Sequence, residues 1–130
     1  MSIVVAYTPD PAGQAALDLG LAEAKLRGQE LIVVHATSGD TGRHGRAAHA
    51  DEIRSVEEAL AEAGVQHTVK EPVGPDIADL VLAQMEQAGA ELLVVGLRKR
   101  SPVGKLFLGS VSQRLLLDSP VPVFAIHGKK

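Results

Sequence analysis

The sequence predicts an α/β fold of three layers, in which helices cover both faces of a five-stranded parallel sheet. Short, uninterrupted apolar runs rich in Val, Ile and Leu occur at residues 3–7, 31–35 and 91–96, as expected of strands that are buried on both faces. Segments with the apolar spacing of helices lie between these runs. Because crossovers between parallel strands are right-handed, this alternation predicts a sheet with helices on both sides.

Nine predicted elements alternate along the chain, beginning and ending with a strand. The strands span residues 3–7, 31–35, 66–70, 91–96 and 121–126, and the helices span residues 12–27, 47–63, 74–88 and 111–118. Gly28, Gly64 and Gly89 follow the first three helices, where a glycine can adopt a positive φ and end the helix. The polar alternation at 66–70 and Pro122 within the last strand place the third and fifth strands at the edges of the sheet.

Composition narrows the function classes. The chain has 130 residues, with 13 Lys and Arg against 16 Asp and Glu, no Cys and no Trp. This length predicts one domain, over residues 1–130, with a single core. The lack of cysteine excludes a disulfide framework and thiol catalysis, and it points to the cytoplasm. A net charge of −3 and only three aromatic residues argue against nucleic-acid binding, and no apolar run is long enough for a membrane span.

The most basic stretch of the chain follows the fourth predicted strand. Loop 96–110 holds four cations, which are Arg98, Lys99, Arg100 and Lys105. It leads into Ser110-Val-Ser-Gln113, a spacing that predicts a helix capped by Ser110. Ligands of open α/β sheets bind beyond the strand carboxyl ends, where residues 7–10, residues 35–37 and this loop are expected to meet. Cations beside a helix N-terminus favour phosphate; the alternative is a solvated basic loop before an ordinary capped helix.

Histidines and acidic residues do not predict a further site. The five histidines are scattered along the chain, at His35, His44, His49, His67 and His127. Zinc requires three or four convergent ligands, so no metal site is expected. The acidic residues of the second predicted helix are interpreted as its solvated face; they are Asp51, Glu52, Glu57, Glu58 and Glu62.

Two glycine positions in the basic loop carry a resemblance to a known family. Gly96 and the pair Gly109-Ser110 stand thirteen residues apart, directly after the fourth predicted strand. Further matching segments are residues 33–36, 74–77, 90–96 and 111–126. With these features the chain resembles the universal stress protein family over its whole length. The resemblance implies a flavodoxin-like sheet, of the adenine-nucleotide α-hydrolase type, with strand order 3-2-1-4-5.

The resemblance also implies a nucleotide site. Nucleotide-binding members of the family carry a glycine, two residues, a glycine, nine residues and then Gly-Ser or Gly-Thr. Here the second glycine position is Lys99, and the Asp that those members usually have at the end of the first strand is Thr8. A side chain at Lys99 crowds a phosphate that approaches the backbone, although its ammonium can also meet the charge. The implied site is a degenerate one for ATP, AMP or another adenine nucleotide, with candidate residues Ala6, Tyr7, Thr8, Ala36, Gly96, Arg98, Lys99, Gly109, Ser110 and Val111.

Two main functions stay open at this point, with an enzyme that acts on a small phosphorylated compound as a third, remote alternative. The first is a stress-response regulator that binds a nucleotide and is not an enzyme, with slow ATP hydrolysis left open, because no general base or metal ligand is visible. The second is a nucleotide-free, dimeric interaction module of the same family. The resemblance implies a homodimer through the C-terminal edge strand, with candidate interface residues Val121, Val123, Phe124 and Ile126. The alternative is a monomer whose edge is shielded by the tail 127–130.

Overall fold

Five parallel strands form the centre of the fold in a computed structural model, which describes residues 2–38, 43–99, 106–107 and 109–128. With one short antiparallel strand, the fifth along the chain, the described sheet has six strands. They are β1 (Ser2–Ala6), β2 (Glu30–Val34), β3 (His67–Lys70), β4 (Ala90–Lys99), β5 (Leu106–Phe107) and β6 (Val123–His127). The parallel strands have the order β3-β2-β1-β4-β6. The predicted order 3-2-1-4-5 is therefore confirmed, with β6 as the fifth predicted strand.

β5 is a strand that the sequence pattern did not predict. This two-residue strand pairs antiparallel with the end of β4, where Arg98 lies opposite Phe107 and Lys99 opposite Leu106. β4 also runs three residues beyond the predicted strand end at Gly96. At the other edge strand, Pro122 precedes β6 instead of lying within it, and its carbonyl oxygen accepts a hydrogen bond from the N–H of Leu93 at 3.0 Å. Pro122 therefore joins the ladder through its carbonyl oxygen alone, since proline has no N–H to donate.

Four helices cover the sheet. They are α1 (Pro11–Arg27), α2 (Arg43–Ala63), α3 (Ile77–Ala88) and α4 (Ser110–Asp118). Gly28 and Gly89 end α1 and α3 with φ angles of 65° and 61°, as predicted. These left-handed caps favour glycine, because a Cβ atom destabilises that backbone conformation.

The core consists of two apolar clusters, one on each face of the sheet. Alternate side chains of the central strands point to opposite faces, so Ile3 and Val5 pack towards α1 and α2, while Val4 packs towards α3 and α4. The same division holds along β2 and β4. The uninterrupted apolar runs are thus buried on both faces, which confirms the three-layer architecture.

Two helix starts differ from the sequence analysis. Asp76 is the N-cap of α3 and accepts a hydrogen bond from the N–H of Asp79 at 3.0 Å, so Pro75 lies before the helix and not within its first turn. Gly109 is the N-cap of α4, and no side chain caps this helix. The predicted capping by Ser110 is wrong, because the N–H of Gln113 already bonds to the carbonyl oxygen of Gly109 at 2.9 Å. Ser110 therefore occupies the first helical position.

Candidate functional site

A cleft of about 570 Å³ opens at the carboxyl ends of β1, β2 and β4. The ends of these strands form one side of the cleft, and α3 and the first turns of α4 form the other. Strand order reverses at β1, since the chain moves outwards from it to β2 in one direction and to β4 in the other. The cleft thus occupies the position at which α/β sheets bind ligands, and its volume is within the range of small-molecule sites.

Nine of the ten residues predicted for a nucleotide site line this cleft. They are Ala6, Tyr7, Thr8, Ala36, Gly96, Arg98, Gly109, Ser110 and Val111. The tenth, Lys99, is the last residue of β4, and its side chain lies outside the described part of the structure. The described residues of the three segments expected to meet line one cleft. Arg100 and Lys105 of the basic loop lie outside the described residues, and a role of the cleft in binding a nucleotide stays a prediction.

Apolar side chains that the sequence analysis did not select form the floor of the cleft. Val34 and Val95 line it from the sheet, Ile77 and Val81 from α3, and Leu115 from α4. The apolar stripe of α3 carries the signal that could have identified Ile77 and Val81, because both lie on its sheet-facing side. The floor is continuous with the apolar cluster beneath α3 and α4, so it offers a ligand an apolar surface without charge.

The rim of the cleft at α4 is polar and suited to an anion. Gly109, Ser110 and Ser112 line it from the start of the helix, whose first-turn N–H groups have no side-chain cap. The N-termini of α1 and α3, by contrast, are capped by the carboxylates of Asp10 and Asp76. The positive end of a helix dipole and uncapped N–H donors attract a phosphate or carboxylate group.

Arg98 adds a positive charge to the same cleft, but this charge is shared with an acid. Its Nη2 atom lies 2.6 Å from Oδ2 of Asp10, and the two side chains are 45% and 26% exposed. The other carboxylate oxygen of Asp10 accepts hydrogen bonds from the N–H of Gly13 and from Oγ1 of Thr8, each at 2.8 Å. The guanidinium that would meet a phosphate is therefore held by an ion pair.

The two glycines of the motif differ in how closely they are packed. A Cβ atom added to Gly96 would lie 2.1 Å from the carbonyl oxygen of Ala12, so this glycine allows β4 to pass against the first turn of α1. A Cβ atom added to Gly109 would meet no described heavy atom within 4 Å, and its φ of −66° suits any residue. Packing explains Gly96, whereas packing against the described residues does not explain Gly109.

Comparisons with known proteins place the chain in a family. Its sequence matches the model of the universal stress protein family over residues 1–127. The chain belongs to the universal stress protein family. A universal stress protein of Mycolicibacterium smegmatis is 48% identical over 128 residues, which cover 97% of this chain and 98% of the relative.

Solved universal stress protein structures share the fold. One from Archaeoglobus fulgidus is 30% identical, with a TM-score of 0.80, and the match covers 96% of this chain and 97% of that one. Another from Archaeoglobus fulgidus, in complex with dAMP, is 24% identical with a TM-score of 0.74, and the match covers 96% of each chain. The sequence-based family prediction is thus confirmed.

Thr8 is one of the two departures of this universal stress protein from the nucleotide-binding pattern. Its hydroxyl donates to Asp10, as described above, at the mouth of the cleft. A hydroxyl oxygen that donates its proton keeps lone pairs that accept hydrogen bonds. The position therefore retains an acceptor although it lacks the negative charge of the usual Asp.

Tyr7 contributes to the cleft differently from what its sequence position suggested. Its side chain belongs to the apolar cluster beneath α1 and α2, on the other face of the sheet, so only its main chain can face the cleft. The buried phenol donates a hydrogen bond to Glu52 of α2, and its ring makes an edge contact with His35 at 5.9 Å between centroids. Burial, followed by the hydrogen bond to Glu52, raises the pKa of Tyr7 above its ordinary value. Glu52 is accordingly not only part of a solvated face.

An arginine on α4 connects the two helices that border the cleft. Nη1 of Arg114 lies 2.9 Å from Oδ2 of Asp76, and Nε lies 3.2 Å from Oδ2 of Asp118. The guanidinium also pairs with Asp79. These exposed ion pairs link the start of α3 to α4, and they contribute orientation more than stability, since solvent screens them.

Of the four candidate dimer residues, Val123, Phe124 and Ile126 lie in the edge strand β6, and Val121 precedes it. Phe124 and Ile126 pack against the cluster beneath α1 and α2, while Val121 and Val123 pack against the opposite cluster. The guanidinium of Arg27 lies over the Phe124 ring, 5.9 Å from its centroid. Phe124 therefore has a structural role within its own chain, and dimerisation stays a prediction.

Neither a metal-binding cluster nor a membrane-spanning helix occurs among the described residues. They contain no group of three or more His, Cys, Asp or Glu side chains placed to hold a metal ion. They also contain no helix with the length and apolar character needed to cross a bilayer. His44 and His49 lie in α2, and their side chains are outside the described part of the structure.

Proposed function

We propose that this universal stress protein is a cytoplasmic stress-response regulator that binds an adenine nucleotide, ATP or AMP, in the cleft. The observation that carries the proposal is the division of the cleft into an apolar floor and a polar rim. A nucleotide has the same division, with a flat base at one end and a charged phosphate at the other. The dAMP complex of the Archaeoglobus fulgidus protein supports this class of ligand.

In the proposed arrangement the base lies on the floor and the phosphate lies at the rim. Ala6 and Ala36 are small residues at the ends of β1 and β2, where they leave room for a purine ring. Gly109 and Ser110 present the start of α4 to the phosphate, with Arg98 beside them. No described aromatic side chain faces the cleft, so affinity depends on shape and on phosphate contacts rather than on stacking.

The proposal is binding without catalysis. The polar side chains among the described lining residues are those of Thr8, Arg98, Ser110 and Ser112. None of these four is a carboxylate or an imidazole, the groups that most often act as general bases. Ligand binding would then act by changing the surface formed by α4. Phosphate release from ATP, followed over hours, tests this part; turnover that follows the enzyme concentration would contradict it.

Titration calorimetry of nucleotide-stripped protein with ATP, AMP and cyclic AMP tests the site. We expect heat that saturates at micromolar to millimolar ligand, and no heat at millimolar ligand would overturn the proposal. Ala36→Leu adds about three carbon atoms to the base side of the floor, and we expect it to lower affinity about tenfold or more, as overpacking costs of 1–3 kcal/mol imply. Ala22→Leu, on the exposed side of α1, is the matched control and is expected to bind like the wild type.

The Asp10–Arg98 ion pair favours a second function, a nucleotide-free interaction module. The positive charge of Arg98 is already balanced by Asp10, and this reduces the attraction of the cleft for phosphate. We also propose, for either function, a homodimer formed through β6, whose outer edge pairs with no described strand. Absence of nucleotide binding together with a stable dimer would support the second function over the first.

A further inference from the structure

Asp10 and Arg98 form the ion pair nearest to the phosphate side of the cleft. Arg98 comes from β4 and lines the cleft, whereas Asp10 belongs to the turn between β1 and α1. Their 2.6 Å contact is short enough for a charge-assisted hydrogen bond. An anionic ligand at the rim therefore meets an arginine that already has a carboxylate partner.

The two oxygens of Asp10 have separate roles. Oδ1 caps α1 by accepting from Gly13 and also accepts from Thr8, whereas Oδ2 holds Arg98. Only the contact with Arg98 requires a negative charge, because an uncharged amide oxygen caps a helix equally well. The fold thus needs an acceptor at this position, while the charge acts on the cleft.

We propose that Asp10 is an intramolecular competitor that restrains Arg98, so that the charge of this carboxylate sets the affinity of the cleft for phosphate groups. A bound phosphate must either displace Asp10 from the guanidinium or share the guanidinium with it. Both routes weaken binding, the first through the lost ion pair and the second through repulsion between two anions. This inference rests on the proposed function, in that it takes the rim as the phosphate side.

Asp10→Asn tests the inference with little change in shape. Asparagine keeps the Oδ1 acceptor for Gly13 and Thr8 and removes the charge. We expect AMP to bind about two- to fivefold more tightly than to the wild type, the range set by partly exposed ion pairs, and adenosine to bind equally to both. Asp18→Asn, on the exposed side of α1, makes the same change in net charge away from the cleft and is expected to have no effect.

Two controls test whether the effect of Asp10→Asn acts through Arg98 and through the phosphate group. In an Arg98→Gln protein, Asp10→Asn is expected to give no gain, because the residue that it releases is missing. Inorganic phosphate, followed through the amide NMR signals of Gly109 and Ser110, tests anion binding without a base. Asp10→Ser, an uncharged residue that also caps helices well, replaces Asp10→Asn if that variant melts well below the wild type.

The outcomes separate this inference from the proposed function. AMP binding that is equal in wild type and Asp10→Asn would overturn the inference and leave nucleotide binding standing. A gain in phosphate binding without any binding of AMP would support the inference and contradict the proposed function. A gain that persists in the Arg98→Gln background, or no gain for either probe, would overturn the inference.

Discussion

Alanine at Gly96 is expected to destabilise the fold, whereas alanine at Gly109 is expected to leave stability almost unchanged and to weaken nucleotide binding, although both glycines belong to the same motif. At Gly96 the new Cβ would lie 2.1 Å from the carbonyl oxygen of Ala12 and 2.5 Å from its carbonyl carbon. Ordinary carbon–oxygen contacts are longer by about 1 Å. The obstacle is backbone, so no side-chain rotation relieves it.

The first turn of α1 has little room to move away from Gly96. The chain after β6 packs closely against another side of this turn, because a Cβ atom added to Gly128 would lie 2.6 Å from the backbone nitrogen of Ala12. Asp10 also fixes this turn by capping it. We therefore expect Gly96→Ala to cost about 3 kcal/mol, the upper part of the range for overpacking. For a domain of this size that corresponds to a melting temperature lowered by about 12 °C.

The same substitution at the second motif glycine, Gly109→Ala, serves as the comparison. Its methyl group meets no described atom. The loss of glycine flexibility in the unfolded chain is worth about 0.4–1 kcal/mol, but alanine is a poorer N-cap than glycine, so we expect the free energy of unfolding to stay within about 1 kcal/mol of the wild type. The same methyl group would occupy the rim where a phosphate approaches, so AMP affinity is expected to fall about tenfold, equivalent to about 1.4 kcal/mol.

Thermal unfolding followed by far-UV circular dichroism, with calorimetry on the same samples, measures both variants. The packing argument is refuted if Gly96→Ala melts within a few degrees of the wild type. It is also refuted if Gly109→Ala melts as early as Gly96→Ala. Unchanged AMP affinity in a folded Gly109→Ala protein would show that the start of α4 is not the phosphate side.

Two further predictions concern Tyr7 and β6. Tyr7 is the one tyrosine and there is no Trp, so absorbance at 295 nm reports its ionisation; the raised pKa predicts a midpoint above about 10, with stability falling as pH rises through that region. Glu52→Gln is expected to lower the midpoint but not to restore it fully, because burial remains, and an ordinary midpoint in folded wild type would contradict this. In β6 the register turns the N–H of the exposed Ala125 away from β4. Ala125→Pro is therefore expected to convert a dimer to a monomer in sedimentation without loss of the fold, and an unchanged mass would count against pairing through β6.

The architecture was predictable because its signal is local. Each central strand is a short run of apolar residues, and burial on both faces of a parallel sheet requires such a run. Gly28 and Gly89 mark helix ends through a backbone conformation that other residues rarely adopt. These features depend on a few adjacent residues, so tertiary contacts do not override them.

The sequence predicted which residues line the cleft better than it predicted where their side chains point. The carboxyl ends of β1, β2 and β4 converge in any sheet of this order, which explains why nine predicted residues line one cleft. Tyr7 was expected at the mouth of the cleft, yet its side chain shares the parity of Ile3 and Val5 and lies on the opposite face. The two-residue period of the strand contained this information.

The ion pair and hydrogen bond around the site could not be predicted from the sequence. Asp10 and Arg98 lie on different elements far apart in the chain, as do Tyr7 and Glu52, which are separated by 45 residues. Their contacts depend on how α1 and α2 sit on the sheet to within about 1 Å, which local patterns do not determine. The start of α4 was misplaced for a related reason, since Gly109 and Ser110 were both acceptable first residues and only the backbone hydrogen bond of Gln113 distinguishes them.

The two motif glycines therefore differ as indicators of function. Gly96 is needed wherever α1 packs against β4 in this way, so a nucleotide-free protein with this fold would keep it. Gly109 has no such packing requirement among the described residues, but it is the N-cap of α4, where glycine is preferred to alanine and where serine, threonine, asparagine and aspartate cap better. Among these capping residues only glycine leaves the start of α4 without a side chain in front of it. Nucleotide binding gives a reason for that choice, so the AMP affinity of Gly109→Ala discriminates between the two functions more directly than the spacing of the whole motif.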